Sequence, residues 1–322
     1  MARKLNIPTS WEELTRLQFA DISEILFNAS SSKEPAQVTR LRILEALTGS
    51  RLVASSSKRA GCMQKVAEYT RFIFKVSVNE DIAAVLSPDF RDALKWCLPE
   101  EIQDKRWLEE LDNVINLLQP SLDFNFAINK NLLTEIFINR QPYFGPDFTV
   151  DKFGILKTDI TTGEYFDALE FLRVLGKTGD LSYLVNIAGC LYRTDRTKYN
   201  TFDAQQRAVI FKPASPKYLK AVWFMLLSWQ HYFIHHPVFG ILFSRDEGND
   251  NKINIGSSSL IYGLSKEGYG SLNEVSLMHI DDFFAIQVKN IRDSVNSLRA
   301  LKKNDAEIAK ELKLPISIVL KL

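Results

Sequence analysis

The sequence predicts a mainly α, multi-helix protein with a few short strands in its central segment, and three observations predict it. Apolar residues recur at three- and four-residue steps over most of the chain, the spacing of a helix with one buried face. Helix signals bracket these stretches: Ser with Glu three residues on, Pro at a first helical position, Gly after a last one. The departure is residues 120–159, where Phe124, Phe126, Ile128, Phe137, Ile138, Tyr143, Phe144, Phe148 and Phe153 are punctuated by Pro142, Gly145, Pro146 and Gly154. Aromatic and β-branched residues between such breakers favour short strands. The chain has 322 residues, 46% of them hydrophobic and 25% charged. That is ordinary globular composition, at a length for about two domains, and it needs neither metal nor disulfide to fold.

Ser10 with Glu13 forms a capping box, and Trp11, Leu14, Leu17, Phe19, Ile22, Ile25 and Leu26 predict a helix over residues 11–27. Residues 28–33 read as a Ser-rich turn. Pro35 opens a second helix carrying Val38, Leu41, Ile43, Leu44 and Leu47, and Gly49 closes it. A third helix is expected over about residues 60–76, a fourth over 88–96, and a fifth over 101–118 that Pro120 stops. Residues 132–139 read as strand and 143–147 as an ordered aromatic loop. Two domains are therefore expected, 1–121 and 122–322. Helices resume over 162–175 and 180–191, and a polar loop covers 192–206. Pro213 and Pro216 then introduce a long apolar helix, with a short buried strand or turn after Pro237. Residues 244–257 are the most polar stretch and read as an exposed, mobile loop. A short helix over 259–266, a capping box at Ser271 and Glu274, and an amphipathic helix over 281–302 complete this part.

Charge and motifs exclude more than they assign. With 40 Lys+Arg against 39 Asp+Glu the formal net charge is +1, so no whole-molecule attraction to nucleic acid or an anionic membrane is expected. Pro237 divides the apolar run 221–243 into pieces too short to span a bilayer. The first residues lack the apolar stretch of a secretory signal. Cys62, Cys97 and Cys190 are an odd, widely spaced set, expected to be free thiols in a reducing cytoplasm. His231, His235 and His236 lie near enough on one helix face to suggest a metal. However, no Glu stands between them in a hydrolase arrangement and His279 is remote, so a helix C-terminal role is expected instead. Asp281 and Asp282 are expected in a first helical turn, where the dipole favours them. The chain contains no phosphate-binding glycine loop and no GxSxG, HExxH or CxxC pattern. No catalytic residue, cofactor or metal is assigned, and a protein working by contact is predicted.

Candidate contacts are aromatic or basic. Tyr143 and Phe144 in the aromatic loop, and Trp229 and Phe233 in the apolar helix, are candidate partner anchors. Lys58 and Arg59 are interleaved downstream with Tyr69, Phe72 and Phe74, a stretch suited to a nucleic-acid backbone. Residues 305–312, a turn at 313–315 and residues 316–322 resemble a DNA-binding helix-turn-helix, with Ile308, Ala309, Leu312 and Val319 at its packing positions. Lys313 stands where glycine is common, and Lys321 is the residue there that reaches a phosphate or base. A helical hairpin docked on its own domain or on a partner is the preferred reading.

Two stretches carry a family resemblance. Thr161-Thr162-Gly163-Glu164-Tyr165-Phe166-Asp167-Ala168-Leu169-Glu170-Phe171, followed after about 20 residues by Ile187-Ala188-Gly189-Cys190-Leu191-Tyr192-Arg193, resembles a pattern in structural-gene proteins of tailed bacteriophages and prophages. The opening Ile7-Pro8-Thr9-Ser10-Trp11-Glu12-Glu13-Leu14 and residues 262–274 are similar to pieces of phage tail-assembly and minor virion proteins. The resemblance covers about a third of the chain. It implies a tail-assembly chaperone or virion component, found in the host cytoplasm or in the virion, with other structural or assembly proteins and further copies of itself as partners. It implies no catalytic or cofactor residue. A DNA-binding protein using residues 305–322 is the first alternative, and an enzyme with a site near His231, His235 and His236 the second.

Overall fold

The computed structural model describes residues 7–32, 34–50, 63–196, 199–243 and 257–322, without the side chains of 257–259. The protein is 61% helical, about twice the share of an average globular domain, so it is mainly α. The chain forms two compact units, Met1–Ile128 with Pro216–Ala221 and Asn129–Ser215 with Val222–Leu322.

The first unit opens with a 3-10 turn at Trp11–Glu13, followed by α1 (Arg16–Ser32) and α2 (Ala36–Thr48). The predicted first helix begins one turn late. Ser10 caps nothing, whereas Thr15 Oγ1 accepts the Gln18 N–H at 3.2 Å and Gln18 Oε1 accepts the Thr15 N–H at 3.0 Å. Thr-x-x-Gln satisfies the capping-box rule as well as Ser-x-x-Glu does. The helix also runs through the expected turn, because the Ser30 and Ser31 hydroxyls bond back to the Phe27 carbonyl. Gly49 closes α2 at φ 65°, where a glycine is under no strain.

After α3 (Met63–Tyr69) the predicted third helix gives way to a strand, β1 (Phe74–Ser77). Its side chains alternate buried and exposed, the period of a sheet. Next come α4 (Glu80–Ala83), α5 (Pro88–Leu94), a 3-10 turn at Pro99–Glu101, α6 (Lys105–Asp112), α7 (Ile115–Leu118) and β2 (Ser121–Phe124). The predicted fifth helix is thus two, with Asp104 capping α6 through the Arg106 N–H at 3.0 Å. β2 pairs antiparallel with β1, Phe74 opposite Phe124. This pairing keeps residues 121–124 in the first unit, so the division falls at 128/129 and not at 121/122. Phe90, Leu94, Cys97, Ile102, Leu111 and Leu118 form one cluster of its core, with Trp107 stacked on Phe90 at 5.5 Å.

The second unit begins with two hairpins, β3 (Glu135–Ile138) with β4 (Gln141–Phe144) and β5 (Phe148–Val150) with β6 (Leu156–Thr158). Asn139 and Arg140 both have positive φ, the requirement of a tight hairpin turn. The expected aromatic loop is therefore partly strand. The helices are α8 (Thr162–Thr178), α9 (Tyr183–Leu191), α10 (Thr201–Ile210) and α11 (Pro216–His235), then α12 (Ser257–Lys266), α13 (Leu272–Leu277), α14 (Ile280–Ala300), α15 (Asp305–Leu312) and α16 (Ile316–Val319). The first residues of α11 count with the first unit, tied to α1 by Lys217–Asp21 and Lys220–Glu24 pairs, each at 2.9 Å. A 3-10 turn at Phe239–Phe243 follows Pro237. The expected loop at 244–257 lies, but for its last residue, outside the described residues. Among the described residues no helix is long and apolar enough to cross a membrane.

An aromatic cluster fills the second unit. Phe148 stacks on Trp229 at 5.6 Å, Phe233 meets Tyr165 at 5.3 Å, and Phe284 meets Phe233 at 5.0 Å. Such pairs add about 0.5–1.5 kcal/mol each beyond the area they bury.

Candidate functional site

The N-terminus of α8 is built as a clamp. Thr161 and Glu164 form a capping box, with Glu164 Oε2 accepting the Thr161 N–H at 3.0 Å. Glu164 Oε1 accepts from Arg193 Nη2 at 2.7 Å and from Arg196 Nη1 at 2.8 Å, and Arg196 also pairs with Asp159 at 2.9 Å. Burial pulls the Arg193 guanidinium below its usual range, against the charge of Glu164. Beside it, the Tyr192 hydroxyl donates to the Leu133 carbonyl at 2.6 Å. Gly145 makes room for that ring, since a Cβ there would lie 2.7 Å from it. Phe144 and Arg193 exchange backbone hydrogen bonds at 2.6 and 3.0 Å. The residues that carry the resemblance, Glu164 from one stretch and Tyr192-Arg193 from the other, thus meet each other inside the unit.

One turn further along α8 lies a cavity of about 510 Å³, lined by Gly163, Asp167, Thr201, Ile261, Tyr262, Leu272 and Ser276. Gly163 and Asp167 are four residues apart on one helix face. A Cβ on Gly163 would lie 2.4 Å from Ser276 Oγ, 3.1 Å from the Tyr199 ring and 3.2 Å from the Ser276 carbonyl oxygen, so the missing side chain lets α8 approach α13 closely. Asp167 Oδ2 accepts two hydrogen bonds, from the Tyr199 hydroxyl at 2.6 Å and from Thr201 Oγ1 at 2.8 Å. Burial pushes the Tyr199 hydroxyl far above its usual range, so it stays protonated and donates. Burial likewise pushes the Cys190 thiol up to about 12, which keeps it from acting as a nucleophile. Among the described residues the cavity lining offers a fixed carboxylate and hydroxyls but no imidazole. It can hold a ligand by hydrogen bonds and charge.

α10 is attached by its smallest residues. Ala204 and Ala208 are buried against α9 at Gly189, where a Cβ would lie 2.7 Å from the Ala204 carbonyl oxygen and 2.8 Å from the Ala208 nitrogen. The outer side of α10 exposes Phe202 (65%), Val209 (57%) and Ile210 (40%). Phe202 and Val209 are seven residues apart and share one face.

The structure sorts the residues singled out in the sequence. Trp229 and Phe233 are fully buried and Tyr143 nearly so, which makes all three core and not surface anchors: Trp229 stacks on Phe148, Phe233 meets Tyr165 and Phe284, and Tyr143 meets Phe211. Phe144 is the one of the four that is exposed, at 39%, on the outer face of β4. Lys58, Arg59 and Cys62 lie outside the described residues. Cys97 and Cys190 are free and buried. Lys321 is exposed, but α15 and α16 pack their apolar residues Ile308, Ala309 and Val319 on Val295 of α14. Arg299 fastens them, donating to the Val319 carbonyl at 2.8 Å, and Lys313 takes the left-handed turn conformation at φ 54°.

The histidines of α11 also serve local structure. The His231 and His235 rings lie 3.9 Å apart, and His235 Nδ1 is 2.9 Å from the His231 carbonyl oxygen. His236 Nδ1 accepts the Val238 and Phe239 N–H groups, each at 3.2 Å. Among the described residues, the groups that bring metal-ligating atoms within 4.8 Å of one another are His279, Asp281 and Asp282. These cap and open α14, where the dipole already favours the carboxylates.

The cavity and the α10 face escaped the sequence reading. The cavity draws on four helices, α8, α10, α12 and α13, with no motif spacing between them. Phe202 fell inside a stretch read as polar loop, where the Asn200 cap, accepting the Phe202 N–H at 2.8 Å, was the available signal. No family model, curated protein or solved structure matches the chain.

Proposed function

We propose that the protein works by protein–protein contact, as an assembly protein of a tailed bacteriophage or prophage, either a tail-assembly chaperone or a virion component. It then resides in the host cytoplasm or the virion, and its partners are other structural or assembly proteins, including further copies of itself. The phage setting rests on the sequence resemblance. The contact mechanism rests on the exposed apolar side of α10. A helix held by two alanines while it turns Phe202, Val209 and Ile210 to solvent is built to bury those residues elsewhere. Fully burying an apolar side chain of this size contributes about 1.5–3 kcal/mol.

The test is Phe202→Glu with Val209→Glu in the full chain, expressed in the source cells and recovered with its bound proteins. These exposed positions leave folding intact, checked by circular dichroism. Particle proteins that accompany the native chain and disappear from the double variant support the reading. The same particle proteins with both chains, or nucleic acid shed at high salt as the one companion, overturn it.

A further inference from the structure

We infer that the cavity beside α8 is a binding site for an organic cation, a primary ammonium or guanidinium group on a short apolar stem. The inference is independent of the assembly reading. Asp167 is the one charged side chain in the cavity lining, and no Lys, Arg or His pairs with it among the described residues. Its carboxylate is fixed in place: both internal donors, Tyr199 at 2.6 Å and Thr201 at 2.8 Å, use the same oxygen, Oδ2. Oδ1 is left to accept from a ligand, and an oriented carboxylate with a spare oxygen selects a cationic donor.

The rest of the lining agrees with that choice. Ser276 and Thr201 supply hydroxyl oxygens for the remaining N–H groups, Leu272 and Ile261 suit a methylene stem, and Tyr262 offers an aromatic wall to a cation. An anion is disfavoured on two counts. Asp167 repels it, and the helix N-termini nearby are already used, α8 by its own Glu164 and α10 by the Asn200 side chain. The volume of about 510 Å³ admits a side-chain-sized ligand and leaves room for water.

The probe is n-butylammonium chloride, titrated into the full chain by calorimetry, with n-butanol as its neutral counterpart. Saturable binding of the amine in the millimolar range is expected, with the alcohol weaker by about tenfold or more. Asp167→Asn keeps an acceptor for Tyr199 and Thr201 but removes the charge, and should weaken the amine by at least about tenfold. Tyr262→Ala, at an exposed position, should weaken it by about threefold while the fold is untouched. A parallel arm with a blocked Gly-Lys-Gly peptide identifies the source: tighter binding of the peptide assigns the site to a lysine side chain of a partner, and tighter binding of the free amine to a small metabolite-like amine. Equal binding of amine and alcohol, unchanged binding in Asp167→Asn, or no saturable binding overturns the site.

Discussion

Both units bury a glutamate in the same way and surround it differently. Glu101 in the first unit and Glu164 in the second each use one carboxylate oxygen to accept a backbone N–H three residues back, from Leu98 at 2.9 Å and from Thr161 at 3.0 Å. Each turns its other oxygen to arginine. Arg40 Nε lies 3.1 Å from Glu101 Oε1 as an ion pair without hydrogen-bond geometry, both side chains fully buried, and the Arg40 Nη donors go to Trp96 O at 2.7 Å, Ala67 O at 3.4 Å and Thr70 Oγ1 at 3.1 Å. Glu164 shares its oxygen between Arg193 and Arg196. Arg193 Nε and Nη1 take no hydrogen bond among the described residues, and the guanidinium lies 5.6 Å from the Tyr199 ring centroid. Burial pulls Arg40 down and pushes Glu101 up, each against the pull of its partner. For Arg196, burial lowers the pKa, but Glu164 and Asp159 outweigh it and the pKa is raised. A single pair sealed among carbonyls has no substitute partner; a shared carboxylate with a second arginine and a second acid does.

The largest effect is therefore expected from Arg40→Met, which strands a buried carboxylate and should cost about 3–5 kcal/mol in chemical denaturation. An unchanged unfolding midpoint would break the comparison. Glu164→Gln keeps the cap and leaves Arg196 its Asp159, so it should cost less, about 2 kcal/mol, by the same measurement. Gly189→Ala forces α9 and α10 apart against backbone atoms, and about 1–3 kcal/mol is expected, with faster hydrogen exchange along α10.

The smallest effect comes from pH. The chain has 4 histidines, at 231, 235, 236 and 279, all in the second unit. Burial lowers the pKa of His236 from 6.5, so the neutral ring is favoured in the folded state. Its stabilising contribution is present above 6.5 and is lost as pH falls through the lowered value. Protonation also ends its acceptance of the Val238 and Phe239 N–H groups. Between pH 7 and 5, exchange should quicken around Phe239 and not in the first unit; His236→Gln should abolish that pH response.

Much of the fold was legible, and the misses share a cause. α2 with its Gly49 cap, α13 with its Ser271 box, and α14 with its 3.6-residue stripe are legible from local signals that owe nothing to distant residues. The Ser10 box failed because Thr15 competed for the same helix a few residues later, and only packing chooses between two adequate caps. β1 looks helical in the sequence because Phe74 and Val76 find their partners about fifty residues away on β2. Of the sites, aromatic content was visible but burial was not: Trp229 and Phe144 look alike in the sequence, and one is core while the other is surface.

The mainly α class was legible along the chain, because periodicity and caps are local signals. Where charge and surface lie depends instead on the packing of segments distant in the chain. That packing brought Asp167 to Tyr199 and Thr201, closed Glu164 on Arg193, and left Phe202 outside. Those outcomes depend on which helices approach one another, which is set at small residues such as Gly163 and Gly189, whose missing side chains carry no pattern along the chain.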